Sequence, residues 1–180
     1  MYKIDNKLFC RDSNSDTTVF LDNNKNVING YMLSYGKYKI PSSVKHNRHW
    51  EVEGDYFFAD RVMESENYLF IEGIYQAKYA RNILYNKRNY ISKNVVFNYE
   101  FHDRGFHNDL DGGIPFWPKG VVAKNILYDH ISPIQLKRLM DHEYYKNIPI
   151  KNMKQNQLLK QLLQDCEITD NPIIFKLFLK

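Results

Sequence analysis

The feature that most constrains the fold of this chain is the grouping of its apolar residues in the first hundred positions. They come in short bursts separated by Asn, Asp, Gly and Lys, which is typical of β-strands joined by tight turns. The 14 tyrosines and 11 phenylalanines add to this strand-forming character. The sequence therefore predicts an antiparallel β meander. Its predicted strands are residues 7–10, 17–21, 27–35, 56–59, 61–65, 68–75, 81–85 and 94–99.

Two polar clusters between these bursts predict hairpin turns. Residues 22–26 read Asp-Asn-Asn-Lys-Asn, and residues 66–67 read Glu-Asn. Asn and Asp side chains bond their own main chain and tolerate left-handed backbone, so they favour tight reversals of the chain.

The pattern becomes helical after Ile131. Ser132 followed by Pro133 is a typical helix start, and apolar residues then recur at helical spacing to about residue 142. A second helix is predicted from Met153 to near Cys166, because Met and Leu recur at helical spacing on a Gln/Lys background. The apolar run at 172–179 begins with a proline that cannot continue a helix, and it predicts a closing strand.

A short internal repeat suggests that the meander is periodic. Residues 6–9, 67–70 and 125–128 all read Asn, any residue, Leu and an aromatic residue, about 60 positions apart. Hairpin units at a fixed period are typical of β-propeller blades. Residues 82–85 match the same pattern off the period, so the repeat alone does not establish blades.

Four segments resemble the six-bladed β-propeller proteins that are common in Bacteroidetes. They are DTTVF at 16–20, YGKYKIP at 35–41, NDLDGGIPFWPK at 108–119 and the ending DNPIIFKLFLK at 170–180. They follow one another in the family's order over nearly the whole chain. The resemblance implies an all-β fold that forms the C-terminal half of a six-bladed propeller, with two to three blades in one domain over 1–180 and a helical insertion at about 132–166.

The resemblance also has consequences for assembly and location. Family members are about twice as long and carry a signal peptide and N-terminal blades, so this chain looks like a truncated or split member. We expect its partner to be a second copy of itself or a missing N-terminal half, because a half ring leaves two blade faces uncovered. The family is largely periplasmic or on the cell surface, whereas this sequence starts without an apolar leader. No catalytic residue is carried over.

Composition excludes some classes of partner. The net charge of +4 is small and evenly spread, and no apolar run approaches the length that spans a bilayer, so neither nucleic-acid binding nor membrane insertion is expected. Cys10 and Cys166 are far apart and belong to no metal or disulfide motif. No cofactor is expected.

The segment around Asp109 and Asp111 invites a calcium interpretation, because Asn and Asp side chains alternate before a glycine. The spacing does not fit an EF-hand loop, since alignment on Gly112 puts His107 first and Pro118 twelfth. A tight turn with aspartate caps is the favoured interpretation.

The expected function is a binding or scaffold module with a peptide or glycan ligand. The candidate ligand-binding residues are Trp117, Asp109, Asp111 and His107. Trp50, Phe57, Phe58 and Phe116 are further aromatics that face either a ligand or the core. The alternative is an exported hydrolase or lyase that uses the polar loop at 102–111, where His102, Asp103 and Arg104 precede His107. The sequence contains no nucleophile or metal motif to support that alternative.

Overall fold

A computed structural model describes residues 2–4, 7–11, 15–41, 44, 54–76, 78–95 and 105–179. Most of its regular structure is β, arranged in three antiparallel sheets, and none of them closes into a barrel. The all-β class and the antiparallel meander expected from the sequence are therefore confirmed.

Sheets 1 and 2 each contain four strands that follow one another in chain order. Sheet 1 consists of β1 (Tyr2–Ile4), β2 (Lys7–Arg11), β3 (Thr17–Leu21) and β4 (Val27–Met32). Sheet 2 consists of β5 (Phe57–Glu64), β6 (Tyr68–Tyr75), β7 (Tyr79–Asn86) and β8 (Ile91–Val95). A short 3-10 helix, Gly36–Tyr38, follows sheet 1.

Sheet 3 has three strands in the order β11, β10, β9. The helical segment lies between its second and third strands. The elements are β9 (Gly120–Ala123), β10 (Ile126–Ile131), α1 (Pro133–Met140), α2 (Glu143–Lys146), α3 (Met153–Asp165) and β11 (Ile173–Phe178). The two predicted helices and the closing strand are confirmed, whereas β1, β9 and β10 were not among the predicted strands.

The predicted strands 56–59 and 61–65 are one strand, β5, with a bulge. Its register against β6 shifts between Ala59 and Arg61. An extra residue reverses the alternation of side chains, so Ala59 before the bulge and Val62 after it both face sheet 1. The predicted strand 94–99 is observed as β8, Ile91–Val95, and residues 96–99 lie outside the described residues.

Sheet 2 packs face to face between sheets 1 and 3, and the first strands of sheets 1 and 3, β1 and β9, also lie close together. One face of sheet 2 meets sheet 1 in a cluster around Phe9, Phe57 and Val62. The other face meets sheet 3 in a cluster around Met63, Phe70, Trp117 and Leu127. Alternate side chains of a strand point to opposite faces, which explains how neighbours such as Val62 and Met63 serve different clusters.

The sequence repeat has the same structural position in every sheet. Its matches open β2, β6 and β10, the second strand of sheets 1, 2 and 3 respectively. Asn6 lies outside the described residues, but Leu8 and Phe9 occupy β2 as Leu69 and Phe70 occupy β6. The off-period match at 82–85 lies in β7, a third strand. The periodic matches therefore mark equivalent units.

Local turn chemistry agrees with the sequence. The Asp22 carboxylate accepts hydrogen bonds from the main-chain N–H groups of Asn24 and Asn26, both at 2.8 Å. These bonds, that of Asn26 above all, hold the pKa of Asp22 below its usual value. Lys25 adopts a left-handed φ of 66° within the same turn. The predicted hairpin at 22–26 is thus confirmed.

Candidate functional site

A cleft of about 1120 Å³ opens between sheets 1 and 2. We call it the tyrosine cleft, because six tyrosines line it: Tyr31, Tyr35, Tyr38, Tyr75, Tyr85 and Tyr90. Its floor is the face of sheet 2 formed by β6, β7 and β8, and one wall is the end of β4 with the residues after it. A cleft of this size and aromatic content is a reasonable ligand site.

Regular alternation along β7 builds the floor. Arg81, Ile83, Tyr85 and Lys87 are two positions apart and point to the same face. In the register with β8, Ile83 is opposite Asn94 and Tyr85 is opposite Ser92, so polar side chains of β8 join the same face. Tyrosine hydroxyls, an amide and a serine thus surround an apolar centre.

One end of the cleft carries a guanidinium between aromatic rings. The Arg81 Cζ lies 6.0 Å from the centre of the Tyr75 ring and 5.6 Å from that of Tyr79. The Tyr38 ring meets the Tyr75 ring edge to face at 5.8 Å. Within the described residues, no carboxylate forms a salt bridge with Arg81. Its charge is therefore available to a ligand.

The other end is held by a polar network between the two sheets. The Lys87 Nζ donates to the Glu64 Oε1 at 2.6 Å and to the main-chain oxygen of Ser65 at 2.8 Å. The Tyr31 hydroxyl donates to the Glu64 Oε2 at 3.4 Å. Burial raises the pKa of Tyr31, and the charge of Glu64 raises it further, so the hydroxyl stays a donor.

A second, smaller cavity of about 390 Å³ lies between sheet 3 and α1. Trp117, Lys119, Asp129, His130 and Arg138 are among the residues that line this Trp117 cavity. Burial raises the pKa of Asp129, although the main-chain N–H groups of His130 and Trp117 donate to its carboxylate at 2.7 and 3.4 Å. A carboxyl with a raised pKa in a cavity is a candidate proton donor.

Of the four candidate ligand-binding residues, only Trp117 lines a cavity described above. Its side chain is only 2% exposed and packs on Phe70 and Phe106, with ring centres 5.9 and 5.5 Å away. Its Nε1 is buried and has no hydrogen-bond partner among the described residues. Most of the Trp117 side chain is thus core between sheets 2 and 3. Phe57 is also buried core and lines the tyrosine cleft, while Trp50 lies outside the described residues.

The two aspartates of the 107–113 segment are engaged in local structure. Asp109 pairs with Lys151, which holds the pKa of Asp109 below its usual value, and His107 is exposed nearby. The Asp111 Oδ1 accepts from the Gly113 N–H at 2.8 Å, where Gly112 has a φ of 72°. The predicted aspartate-capped turn is confirmed. His102, Asp103 and Arg104 lie outside the described residues, and the described ones contain no cluster of metal-ligating side chains.

The cleft was not predicted from the sequence. The sequence did contain a signal, because Arg81, Ile83, Tyr85 and Lys87 stand at alternate positions and would therefore lie on one face of an extended segment. Asp129 had a signal too, as a lone acid within the apolar strand β10. Neither pattern shows which other sheet packs against these residues, so the sequence alone did not identify a site.

Comparison with known proteins gives a fold relationship. No protein-family model and no curated protein matches the chain. The crystal structure of a "putative exported protein" from Bacteroides fragilis NCTC 9343 matches with a TM-score of 0.61 and 18% identity. The match covers 99% of this chain and 49% of that one, so this chain spans about half its length. This chain thus shares the fold of part of that protein.

Among the described residues, no helix is long and apolar enough to cross a membrane.

Proposed function

We propose that this chain is a binding module formed by consecutive blades of a β-propeller, and that an extended peptide occupies its tyrosine cleft. The propeller part is supported by three meander sheets that stack in chain order and by a repeat that opens the second strand of each. The half-length match to the Bacteroides fragilis protein is consistent with part of a larger ring. Because that protein is named as an exported protein, we also propose an exported location for this chain.

The observation that carries the proposed binding function is the tyrosine cleft itself. Tyrosine supplies a large, rigid, amphipathic contact at low entropic cost, and it is enriched where proteins bind other chains. The six tyrosines of the cleft are combined with Ser92, Asn94 and Arg81, which is the mixture of aromatic anchors and adaptable polar groups that such surfaces use.

The shape of the wall favours a peptide over a glycan. Five consecutive residues, 31–35, line the cleft. Alternate side chains of an extended segment face opposite ways, so the lining includes its edge and main chain. β4 is an edge strand of sheet 1, and its sequence, VINGYM, contains no charge or proline that would discourage pairing. An added peptide strand can pair with such an edge.

Length and charge define the peptide. Arg81 in β7 and Lys87 directly after it are six positions apart, so the floor is about 20 Å long and matches about six extended residues. Lys87 is neutralised by Glu64, whereas Arg81 has no carboxylate partner among the described residues. An Asp or Glu side chain, or a C-terminal carboxylate, is the group that Arg81 binds best.

The hydrolase or lyase alternative has no comparable support. The two aspartates of the 102–111 loop that the structure describes, Asp109 and Asp111, are already engaged in an ion pair and a turn. The carboxyl with a raised pKa, Asp129, belongs to the Trp117 cavity instead.

Selection from a random heptapeptide library displayed on phage tests the proposal. We expect wild-type protein to enrich peptides that contain an acidic residue, and Arg81→Ala to weaken binding of the enriched peptide at least tenfold, the loss of about 1.4 kcal/mol that one charged contact contributes. Fluorescence polarisation measures the affinity, and Tyr85→Ala should weaken it as well.

The matched control is Arg138→Ala, which removes an arginine of the Trp117 cavity and should leave peptide affinity unchanged. Enrichment that is insensitive to Arg81→Ala and Tyr85→Ala, or enrichment of no peptide at all, would contradict the proposal. Binding of neutral or uronic oligosaccharides to the wild type, lost in Tyr85→Ala, would assign the cleft to glycans instead.

A further inference from the structure

The outer face of sheet 3, the face turned away from sheet 2, is largely apolar and carries several exposed side chains. The register places Ile126 beside Phe178, Tyr128 beside Lys176 and His130 beside Ile174 on this face, so one lysine interrupts the apolar residues. Phe178, Ile174 and Val122 are 65%, 61% and 55% exposed. Exposed apolar side chains grouped in this way on a sheet mark an interaction surface.

The outer face of sheet 1, at the other end of the stack, has the same character. The register groups Leu8 with Leu21 and Cys10 with Val19 on the face opposite to Phe9. Val27 and Met32 extend this face on β4 and are 66% and 68% exposed. The stack of three sheets therefore ends in an apolar face on both sides.

The repeat shows what covers such faces. Its aromatic residue packs on the following sheet: Phe9 meets sheet 2, and Phe70 meets sheet 3. Tyr128 is the equivalent residue of sheet 3, and it lies on the outer face, next to Gly120. No sheet of the described chain follows it.

The leucine of the repeat packs on the preceding sheet, just as the aromatic residue packs on the following one. Leu127 is fully buried against sheet 2, and Leu69, 5% exposed, faces sheet 1 across the cleft. Leu8 is the equivalent residue of sheet 1, and it lies on the outer face with no preceding sheet. Among the described residues, no sheet packs on Tyr128 from the following side or on Leu8 from the preceding side, so the two faces are complementary.

We infer that two copies of this chain close into a two-fold ring. The outer face of sheet 3 in one copy packs against the outer face of sheet 1 in the other, and the same contact is repeated on the opposite side. A head-to-tail contact of this kind closes a ring when the rotation permits and otherwise makes open filaments. Two copies also supply the chain length of the Bacteroides fragilis protein, of which this chain spans 49%.

Light scattering on the purified chain provides the first test. We expect a species of twice 21.6 kDa at micromolar concentration. The double variants Ile174→Glu/Phe178→Glu and Val27→Glu/Met32→Glu should each be monomeric, because both contacts of the ring use both faces. Their exposed positions tolerate Glu, and circular dichroism verifies that they fold. Ile134→Glu, on a 53% exposed residue of α1, is the matched control and should stay dimeric.

Mixing the two double variants distinguishes a ring from other assemblies. The first retains an intact sheet 1 face and the second an intact sheet 3 face, so the mixture should form a heterodimer through one contact. We expect its affinity to be at least tenfold weaker than that of the wild type. A wild-type monomer at 100 micromolar, higher oligomers, or a dimer that both double variants retain would each overturn the inference. A monomer that combines only with a separate N-terminal half would assign these faces to that half.

Chemical cross-linking gives an independent measurement, because Cys10 lies on the outer face of sheet 1. With Cys166→Ser as background, Ile174→Cys should be joined to Cys10 of the second copy by a short bis-maleimide. Denaturing electrophoresis should then show a covalent dimer that is absent when Cys10→Ser is added. Equal yields with and without Cys10 would contradict the proposed pairing of faces.

Discussion

The contact between sheets 2 and 3 is closed, whereas the contact between sheets 1 and 2 opens into a cleft. In the closed contact, Met63, Phe70, Trp117 and Leu127 are each no more than 2% exposed. In the open one, Phe9 is 3% exposed, but Phe20 and Tyr31 of sheet 1 are only partly buried and the tyrosines farther out line the cleft. The two contacts are made by opposite faces of the same sheet.

The difference comes from a loop. Twisted sheets that pack face to face diverge away from their point of closest contact and leave a space between them. Between sheets 2 and 3 that space is filled by Phe106, Phe116 and Trp117, which a bridge from Phe106 to Phe116 holds together. Between sheets 1 and 2, the segment after β4 places Leu33 and Tyr35 against the cluster, but these side chains are only partly buried. The cleft thus arises where a loop fills less of the space between two otherwise similar sheets.

Truncation of Leu127 should show most clearly that the two contacts differ in how tightly they are packed. Leu127→Ala removes a fully buried side chain from the closed contact, and we expect the free energy of unfolding to fall by about 3 kcal/mol. Ile83→Ala removes a half-buried side chain from the cleft floor, where water replaces it, and should cost only about 1 kcal/mol. Urea unfolding measures both. Equal losses would show that the cleft is packed as tightly as the core.

The polar network of the open contact should contribute less than this packing. In a double-mutant cycle of Glu64→Gln and Lys87→Met, we expect a coupling of about 1 kcal/mol, because both side chains are under one-third exposed. The control cycle uses the Arg61–Glu72 pair of the same sheet, which is longer, at 3.4 Å, and more exposed. It should give less than about 0.5 kcal/mol. A control coupling as large as that of the cleft pair would show that the Glu64–Lys87 pair contributes no more than an ordinary exposed pair.

Much of the fold could be predicted from the sequence because local chemistry specifies it. The Asp22 turn, the start of α1 at Ser132 and Pro133, and the aspartate cap of Gly113 each depend on residues within a few positions. The two predicted halves of β5 became one strand, because Asp60 marks a bulge rather than a turn. Strands β1 and β9 were missed because their residues, YKI and GVVA, are too few to show alternation. Strand β10, ILYDHI, was recognised only through its match to the repeat.

The candidate site was less predictable because it depends on contacts far apart in the chain. Tyr31 and Glu64 are 33 positions apart, and only the packing of sheet 1 on sheet 2 joins them. The residues favoured from the sequence, Asp109, Asp111 and Trp117, were conspicuous because a turn and a core need distinctive side chains. The most distinctive residues of this sequence therefore have structural roles, while the proposed ligand surface consists of ordinary tyrosines.

The smallest expected effect concerns Asp129, the buried carboxyl beside the closed contact. Burial raises the pKa of Asp129, and the nearby Lys119 and His130 charges oppose this rise without cancelling it. The stability linked to this proton is present at low pH and is lost as the pH rises through the raised pKa. Wild-type protein should therefore lose stability relative to Asp129→Asn between about pH 4 and pH 7, the range above the ordinary aspartate pKa. Thermal melts across that range measure the difference. Asp22→Asn is the control with the opposite sign, because the pKa of Asp22 is lowered and its contribution is lost only as the pH falls below about 4, so the melts extend below that pH. If both variants show the same slope, or if Asp129→Asn shows none, then burial does not control Asp129, and the closed contact admits water as the tyrosine cleft does.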